Sequence, residues 1–193
     1  MAITAIIDPN TDITLFESGA IVSYLISTYD KTESITYTSF PETFHLQQWS
    51  YFQASGQGPY FGQAAWYVPL ACTMQEQFHW WYFPINRFNL YHPEPLPSAR
   101  DRYNNEIKRV AGVLDTHLAN RSWLVGEKCT YADLSFVMWN AQIPFILKDA
   151  KDGWDAAKYP HFTRWQEAMM VRDSLKYVMS VLMEKEVKSE GRA

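Results

Sequence analysis

Glu17 and Ser18 stand where a short apolar run, Thr14-Leu15-Phe16, gives way to Gly19-Ala20-Ile21-Val22-Ser23-Tyr24-Leu25. The first run reads as a strand and the second as a helix, so the pair falls at their junction. The first turn of a helix carries N–H groups without intrahelical acceptors and a partial positive charge, and so favours a carboxylate. Ser18 adds a hydroxyl at that end, and Glu17 sets a negative charge beside it. A carboxylate-binding end next to an ammonium-binding side chain suits the zwitterion of a free α-amino acid. The plainer alternative is a helix-capping pair, the common use of such residues. Further along, Tyr51, Ser55 and Tyr60 surround a Gly/Pro-rich stretch, Ser55-Gly56-Gln57-Gly58-Pro59-Tyr60-Phe61-Gly62-Gln63. It is not a phosphate loop, because the glycine spacing is wrong and no Gly-Lys-Ser/Thr follows. His79 and Trp81 lie in an aromatic stretch, Gln77-Phe78-His79-Trp80-Trp81-Tyr82-Phe83-Pro84. His79 is its one group titrating near neutrality, although a solitary His is more often packed or on the surface than catalytic. Arg102 is equally readable as a site residue or as a surface cation paired with Asp101 or Glu106, which is worth little.

The elements that must position these residues follow from periodicity. Ala5-Ile6-Ile7 reads as a strand and Asp8-Pro9-Asn10 as the turn after it. Ile21, Tyr24, Leu25 and Tyr29 recur at helical spacing and predict the inner face of the first helix. Asp30 to Pro41 is polar and turn-rich, a linker. A second helix begins near Pro41-Glu42, with Phe44, Leu46, Trp49 and Phe52 as its buried stripe, and two glycines and a proline then predict a break or kink. Ser98 with Asp101 makes a capping-box-like helix start, and Tyr103, Ile107, Val110, Leu114 and Leu118 form the stripe behind it. Thr130 and Asp133 predict a capping box, with Cys129 and Leu134 placed as a hydrophobic staple. Pro144 should bend the following helix. Pro160 opens another, with Phe162, Trp165 and Met169 inward, and the charged tail from Glu184 is expected to fray.

Composition narrows the classes. With 193 residues, 47% apolar and 20% charged, the chain can bury one sizeable core or two small ones sharing an interface. Eight Trp and twelve Tyr are many. They fit an aromatic-lined pocket, but core packing explains them more cheaply. A net charge of −4 without a basic stripe argues against nucleic-acid binding. No apolar run reaches the length of a membrane span and no charged-then-apolar leader opens the sequence. Cys72 and Cys129 lack metal-ligand spacing, so no metal is expected and reduced thiols in the cytoplasm are. No Ser/His/Asp set with nucleophile-elbow context is present.

The order strand, turn, strand, Glu17-Ser18, helix resembles the glutathione-binding half of glutathione transferases. Ser55 to Gln63 resembles the Ser-Gly-x-x-Pro-x-x-Gly-Gln segment of fungal transferases related to the yeast nitrogen regulator Ure2. Tyr91-His92-Pro93-Glu94, Trp123 to Leu134, and Tyr159 to Trp165 resemble the same family. The resemblance implies an α+β, mostly α fold. A partial thioredoxin-like β-hairpin plus helix spans 1–34, and an all-α glutathione transferase C-terminal domain spans 42–193, with an aromatic insertion at about 67–87. It implies glutathione as cofactor, gripped at its γ-glutamyl end by Glu17 and Ser18 and met along its backbone by Ile3 and Thr4. Thr4 replaces the family's cis-proline and is expected to be trans, since a non-proline cis bond costs roughly 2.5–4 kcal/mol. In the family a strand, a helix and a strand precede this point and carry the thiol-activating side chain. A shortened scaffold is therefore expected, with an unpaired apolar edge on the first strand. Thr4, Ser18, Tyr51, Ser55, Arg102 and Tyr103 remain as candidate activators, and the catalytic residue stays open among them. Tyr51, Ser55, Tyr60, His79, Trp81 and Tyr103 are the implied pocket for a small hydrophobic electrophile. A homodimer is implied, and a likeness to transferase-like enzymes of fungal polyketide pathways points to secondary metabolism. Two chemistries suit such a site. Glutathione thiolate adds to a conjugated molecule and stays, or it adds, lets a bond rotate and leaves, which is olefin isomerisation. A non-catalytic binding or regulatory protein and a glutathione-dependent disulfide reductase are the alternatives.

Overall fold

The computed structural model describes residues 5–66, 96–148 and 153–190. Strands β1 (Ala5–Asp8) and β2 (Ile13–Phe16) pair antiparallel, with Ala5 opposite Phe16 and Asp8 opposite Ile13. Alternation along the strands sets Ile6, Leu15 and Ile13 half-buried on one face, while Ile7 and Phe16 lie exposed on the other. The connection is an Asx-type turn. Asp8 Oδ1 accepts the Asn10 N–H at 2.9 Å, and Asp12 adopts the left-handed region at φ +55°. Helix α1 (Ser18–Tyr29) then packs on both strands.

The expected inner face of α1 is partly wrong. Ile21 is buried, but Leu25 and Tyr29 are exposed. A two-stranded sheet covers only a narrow flank of a helix, and Tyr29 turns toward it for polar reasons. Asp8 Oδ2 accepts hydrogen bonds from Tyr24 Oη at 2.6 Å and from Tyr29 Oη. The two phenols thus clamp the last turns of α1 to the hairpin turn. They hold Asp8 below the usual carboxylate range, first through the Tyr24 hydrogen bond, and the Asp8 hydrogen bond in turn raises Tyr29.

The linker is pinned rather than loose. Asp30 accepts from Ser34 N–H at 2.7 Å and Ile35 N–H at 3.0 Å, and the Ile35 carbonyl accepts the Tyr131 N–H at 2.8 Å. Tyr37 Oη accepts the Glu127 N–H at 3.0 Å, Lys128 Nζ sits 4.3 Å from the Tyr37 ring centroid, and Lys128 also donates to the Glu33 carbonyl. Gly126 makes the approach possible. It has φ +62°, and a Cβ there would lie 2.5 Å from Tyr37 Oη.

The rest of the described chain is helices joined by short loops. Helix α2 (Glu42–Phe52) leads through a π-helical turn (Gln53–Gln57) into α3 (Gly58–Trp66). Helices α4 (Pro97–His117), α5 (Tyr131–Ile146), α6 (Pro160–Met170) and α7 (Asp173–Glu190) follow, with short 3₁₀ turns at Leu118–Asn120 and Ala156–Lys158. Ile107, Val110, Leu114 and Leu118 are fully buried, as their spacing predicts, and Phe162, Trp165 and Met169 turn inward on α6. Many of the aromatics serve this core: Trp49, Phe136, Trp165 and Phe162 follow one another at centroid distances of 6.4, 5.9 and 6.0 Å. Phe44 is a correction, since it is exposed while Leu46 and Trp49 carry the buried face of α2. Ser98 and Asp101 are another. Leu96 is the N-cap of α4, no side chain caps it, and Pro97 opens the helix, where its missing N–H costs nothing. The Thr130–Asp133 arrangement is present and extended. Asp133, fully buried, accepts from the N–H groups of Thr130 at 2.8 Å and Leu124 at 2.9 Å, from Thr130 Oγ1, and from Trp165 Nε1 at 2.9 Å. Pro144 lies inside α5, which runs on to Ile146. No described helix is long and apolar enough to cross a membrane.

Candidate functional site

At the end of β2 the chain must turn sharply to start a helix that packs back on the same hairpin. Glu17 makes that turn with φ +72° and ψ +114°, a conformation L residues with side chains rarely adopt. Its carbonyl is already committed to the helix, accepting the Ile21 N–H at 2.9 Å. Its carboxylate is not a cap, because no side chain caps α1. The capping-pair alternative therefore fails on geometry. Ser18 is the first helical residue, and its hydroxyl takes no partner among the described residues. Glu17, Ser18, Gly19 and Ala20 are all exposed. A Cβ built on Gly19 would meet nothing within 4 Å, so the space before the helix start is open. The N–H groups of the first turn thus face outward, with a carboxylate alongside. By its chemistry such an arrangement suits an anion at the N–H groups and a cation at the carboxylate.

The second group of candidates gathers on the rod made by α2, the π turn and α3. Tyr51 and Ser55 are exposed one turn apart, and Ser55 Oγ donates to the Tyr51 carbonyl at 2.7 Å. That bond occupies the Ser55 proton, leaving its lone pairs outward. Tyr60 is half-buried, with its ring 6.3 Å from that of Tyr103 on α4 at an interplanar angle of 53°. Tyr60 and Tyr103 are thus brought together from elements 43 positions apart in sequence. Arg102 is exposed beside Tyr103, and Glu106 pairs instead with Arg109, whose Nη2 lies 2.7 Å from Glu106 Oε1. Arg109 also lies over the Phe52 ring at 5.9 Å. Neither Glu17 nor Ser18 makes a side-chain hydrogen bond to this group among the described residues. Ile3, Thr4, His79 and Trp81 lie outside the described residues, as does the aromatic stretch at 67–87.

Among the described residues no group of three His, Cys, Asp or Glu side chains converges as metal ligands. Cys129 is buried, and burial pushes its thiol up to about 12, so it is no nucleophile. Two polar constellations escaped the sequence reading. The Asp8–Tyr24–Tyr29 clamp had one visible hint, the Asp-Pro-Asn turn. The other is a chain of amides behind the π turn, running from Gln53 and Gln57 through Asn140 to Gln166, with Gln57 and Asn140 buried and the two ends half-buried. Its hint was two glutamines four apart on a stretch with an apolar face.

Residues 73–173 match the family described as the glutathione S-transferase C-terminal domain. The chain is 43% identical over 191 residues to the glutathione S-transferase-like protein gedE of Aspergillus terreus, covering 93% of this chain and 74% of that one. It is 38% identical over 177 residues to glutathione S-transferase 2 of Schizosaccharomyces pombe, covering 86% and 67%. Among solved structures it is similar to the glutathione transferase URE2P6 of Phanerochaete chrysosporium in complex with oxidised glutathione, at 37% identity and a TM-score of 0.74 over 93% of this chain and 72% of that one. The family match, the identities and the overall structural similarity agree, and this chain belongs to the glutathione S-transferase family.

Proposed function

We propose that the protein binds glutathione at the start of α1 and uses its thiolate on small, hydrophobic, conjugated electrophiles. The observation that carries this reading is the uncapped, exposed first turn of α1 with Glu17 on a left-handed backbone beside it. Glutathione presents an ammonium and a carboxylate on one carbon at its γ-glutamyl end. The ammonium is suited to the Glu17 carboxylate, and the carboxylate to the Ser18 hydroxyl and the N–H groups of the first turn. Solved relatives crystallised with glutathione or its oxidised form support the choice of ligand.

The chemistry balances in two forms. The sulfur lone pair forms a C–S bond at the β-carbon of an enone, the C=C electrons move to the carbonyl oxygen as an enolate, and a proton returns at the α-carbon. This yields a conjugate. Alternatively the adduct rotates about its new single bond before the enolate re-forms C=C and expels thiolate, yielding the geometric isomer with glutathione unchanged. Tyr60 and Tyr103, their rings tilted against each other, supply an aromatic wall for such a molecule, and Tyr51 and Ser55 on the same rod and Arg102 beside Tyr103 are exposed polar groups. Phe40 and Phe44, both exposed with rings 5.9 Å apart at the start of α2, support a homodimer, which sedimentation would test.

Titration calorimetry with glutathione, paired with product analysis on a trans-enone, tests the reading. Wild type should bind. Glu17→Ala and Ser18→Ala should each weaken binding about tenfold or more, the worth of one charge-assisted hydrogen bond. An accumulating adduct identifies conjugation, and a cis product with glutathione unconsumed identifies isomerisation. Binding without turnover would leave a glutathione-binding protein, and no binding by wild type would overturn the proposal.

A further inference from the structure

The π turn at Gln53–Gln57 is a fixed point on which the outer face of its rod depends. At about 100° per residue, Trp49 and Phe61, twelve positions apart, would point about 120° apart on an unbroken α-helix; one extra residue absorbed in a wider turn brings them to about 20°. Both are buried in the same core. Pro59 gives the turn its cause. It has no N–H, and its ring collides with the carbonyl four residues earlier in a regular helix. The wider winding relieves this, and the Gly58 N–H accordingly reaches back five residues to the Gln53 carbonyl.

Apolar packing alone does not say at which residue the extra winding sits, since a π turn passes along a helix by exchanging one i→i+5 bond for an i→i+4 bond next to it. Gln57 does say so. It is fully buried, and its Nε2 donates to Asn140 Oδ1 at 2.7 Å. Asn140 Nδ2 donates on to Gln166 Oε1 at 3.1 Å, and Gln166 Nε2 ends the chain on the Val137 carbonyl at 2.9 Å. Gln53 Nε2 donates into the same chain, to Gln57 Oε1 at 3.2 Å. All four bonds run in one sense across the rod, α5 and α6. Moving the turn by one residue would withdraw Gln57 from Asn140 and leave buried amides unpaired.

We infer that Gln57, acting through Asn140, is a positioning residue that locks the π turn in register and so fixes the direction in which Ser55 faces the electrophile. This rests on the proposed function for its kinetic consequence but not for its geometry. Release of the lock swings a side chain within the turn by about 100°, which turns Ser55 away from the electrophile while the start of α1 is untouched.

The test uses Gln57→Met, similar in volume and without the amide, and Asn140→Ala, which cuts the same bond from the other side. In either variant that folds, the KM for the electrophile should rise at least fivefold, with the glutathione Kd within twofold of wild type. The exchanged pair Gln57→Asn with Asn140→Gln should recover most of the loss, which a general weakening of the core would not do. A second readout needs no activity. In a Cys72→Ser background carrying Ser55→Cys, a maleimide should label position 55 at least fivefold more slowly once Gln57 is replaced, the deeply buried Cys129 staying silent. Unchanged labelling together with unchanged KM overturns the lock. If wild type shows no turnover at all, the proposed function fails, and the labelling rates alone decide whether the register is held as inferred.

Discussion

At φ +72° and ψ +114° a glutamate carries backbone strain of about 1–3 kcal/mol, and glycine, without a Cβ, would carry less. The side chain here does nothing for the helix it precedes, because it caps nothing. Strain with no structural return is what a binding residue looks like when the fold must aim it outward. Glu17→Gly should therefore split two properties that usually fall together. Urea unfolding should show stability unchanged or raised by about 1 kcal/mol, while glutathione affinity drops at least tenfold. Glu17→Gln keeps the strained backbone and loses the charge, so it should lose affinity without the gain in stability. A glycine variant that is both less stable and fully competent in binding would remove the functional meaning of this residue. The junction at Glu17 was readable from the residues, because the strand pattern of Thr14-Leu15-Phe16 and the helical pattern from Ile21 meet there. Its backbone was not, since nothing in the type of residue announces a positive φ at a glutamate.

For elements, the revealing errors are those of α1. Leu25 and Tyr29 fit helical spacing yet lie exposed, because periodicity reports which residues share a face and not how wide a neighbour covers it. What the hairpin lacks in area it supplies through the Asp8 carboxylate, which no pattern of apolar residues encodes. The clamp has a defined pH window. Asp8 is depressed when folded, so its contribution is present above the unfolded carboxylate value near 3.9 and is lost as pH falls through the folded value. Tyr29 is raised when folded, so its share is present below about 10 and is lost as pH rises through its folded value. Protection of the α1 amides, taken relative to the intrinsic exchange rate at each pH, should accordingly fall at both extremes and be greatest between them. Asp8→Asn should abolish the acid limb, and an unchanged acid limb in that variant would show that Asp8 does not hold the helix. The capping carboxylate of α5, Asp133, is enclosed in the core. Asp133→Ala strands the N–H groups of Leu124 and Thr130 and the indole of Trp165 at once, and each unmet donor costs about 1–3 kcal/mol. Loss of at least 3 kcal/mol on chemical unfolding is expected, with glutathione affinity preserved in whatever fraction stays folded. This element was legible because a capping box is local, with both partners within four residues.

Across the whole molecule, what must be set is the placement of the hairpin and α1 against the helices, and here the linker is the part the sequence left least defined. Its polar, turn-rich composition reads as slack, whereas the structure ties it through Tyr131 N–H, Tyr37 and Lys128 to the loop before α5. None of these bonds is local, since Tyr37 and Glu127 are 90 positions apart, so no short-range pattern could reveal them. Gly126 is the point on which the clasp depends. An alanine there meets two separate penalties: a left-handed backbone, worth about 1–2 kcal/mol against a residue with a Cβ, and a Cβ placed 2.5 Å from Tyr37 Oη. The second obstacle is ring and hydroxyl held by the Glu127 N–H and the Lys128 cation, so it cannot give way without opening the clasp. Gly126→Ala should thus cost more than the backbone term alone. In a Tyr37→Ala background only the backbone term remains, and the same substitution should cost about 1–2 kcal/mol. If the cost of Gly126→Ala is equal in the two backgrounds, Tyr37 is not what the glycine makes room for. If it is larger in wild type, and amide exchange in 31–41 quickens with it, the linker is a clasp, and the hairpin with its Glu17 is held to the helices by contacts made far from the site itself.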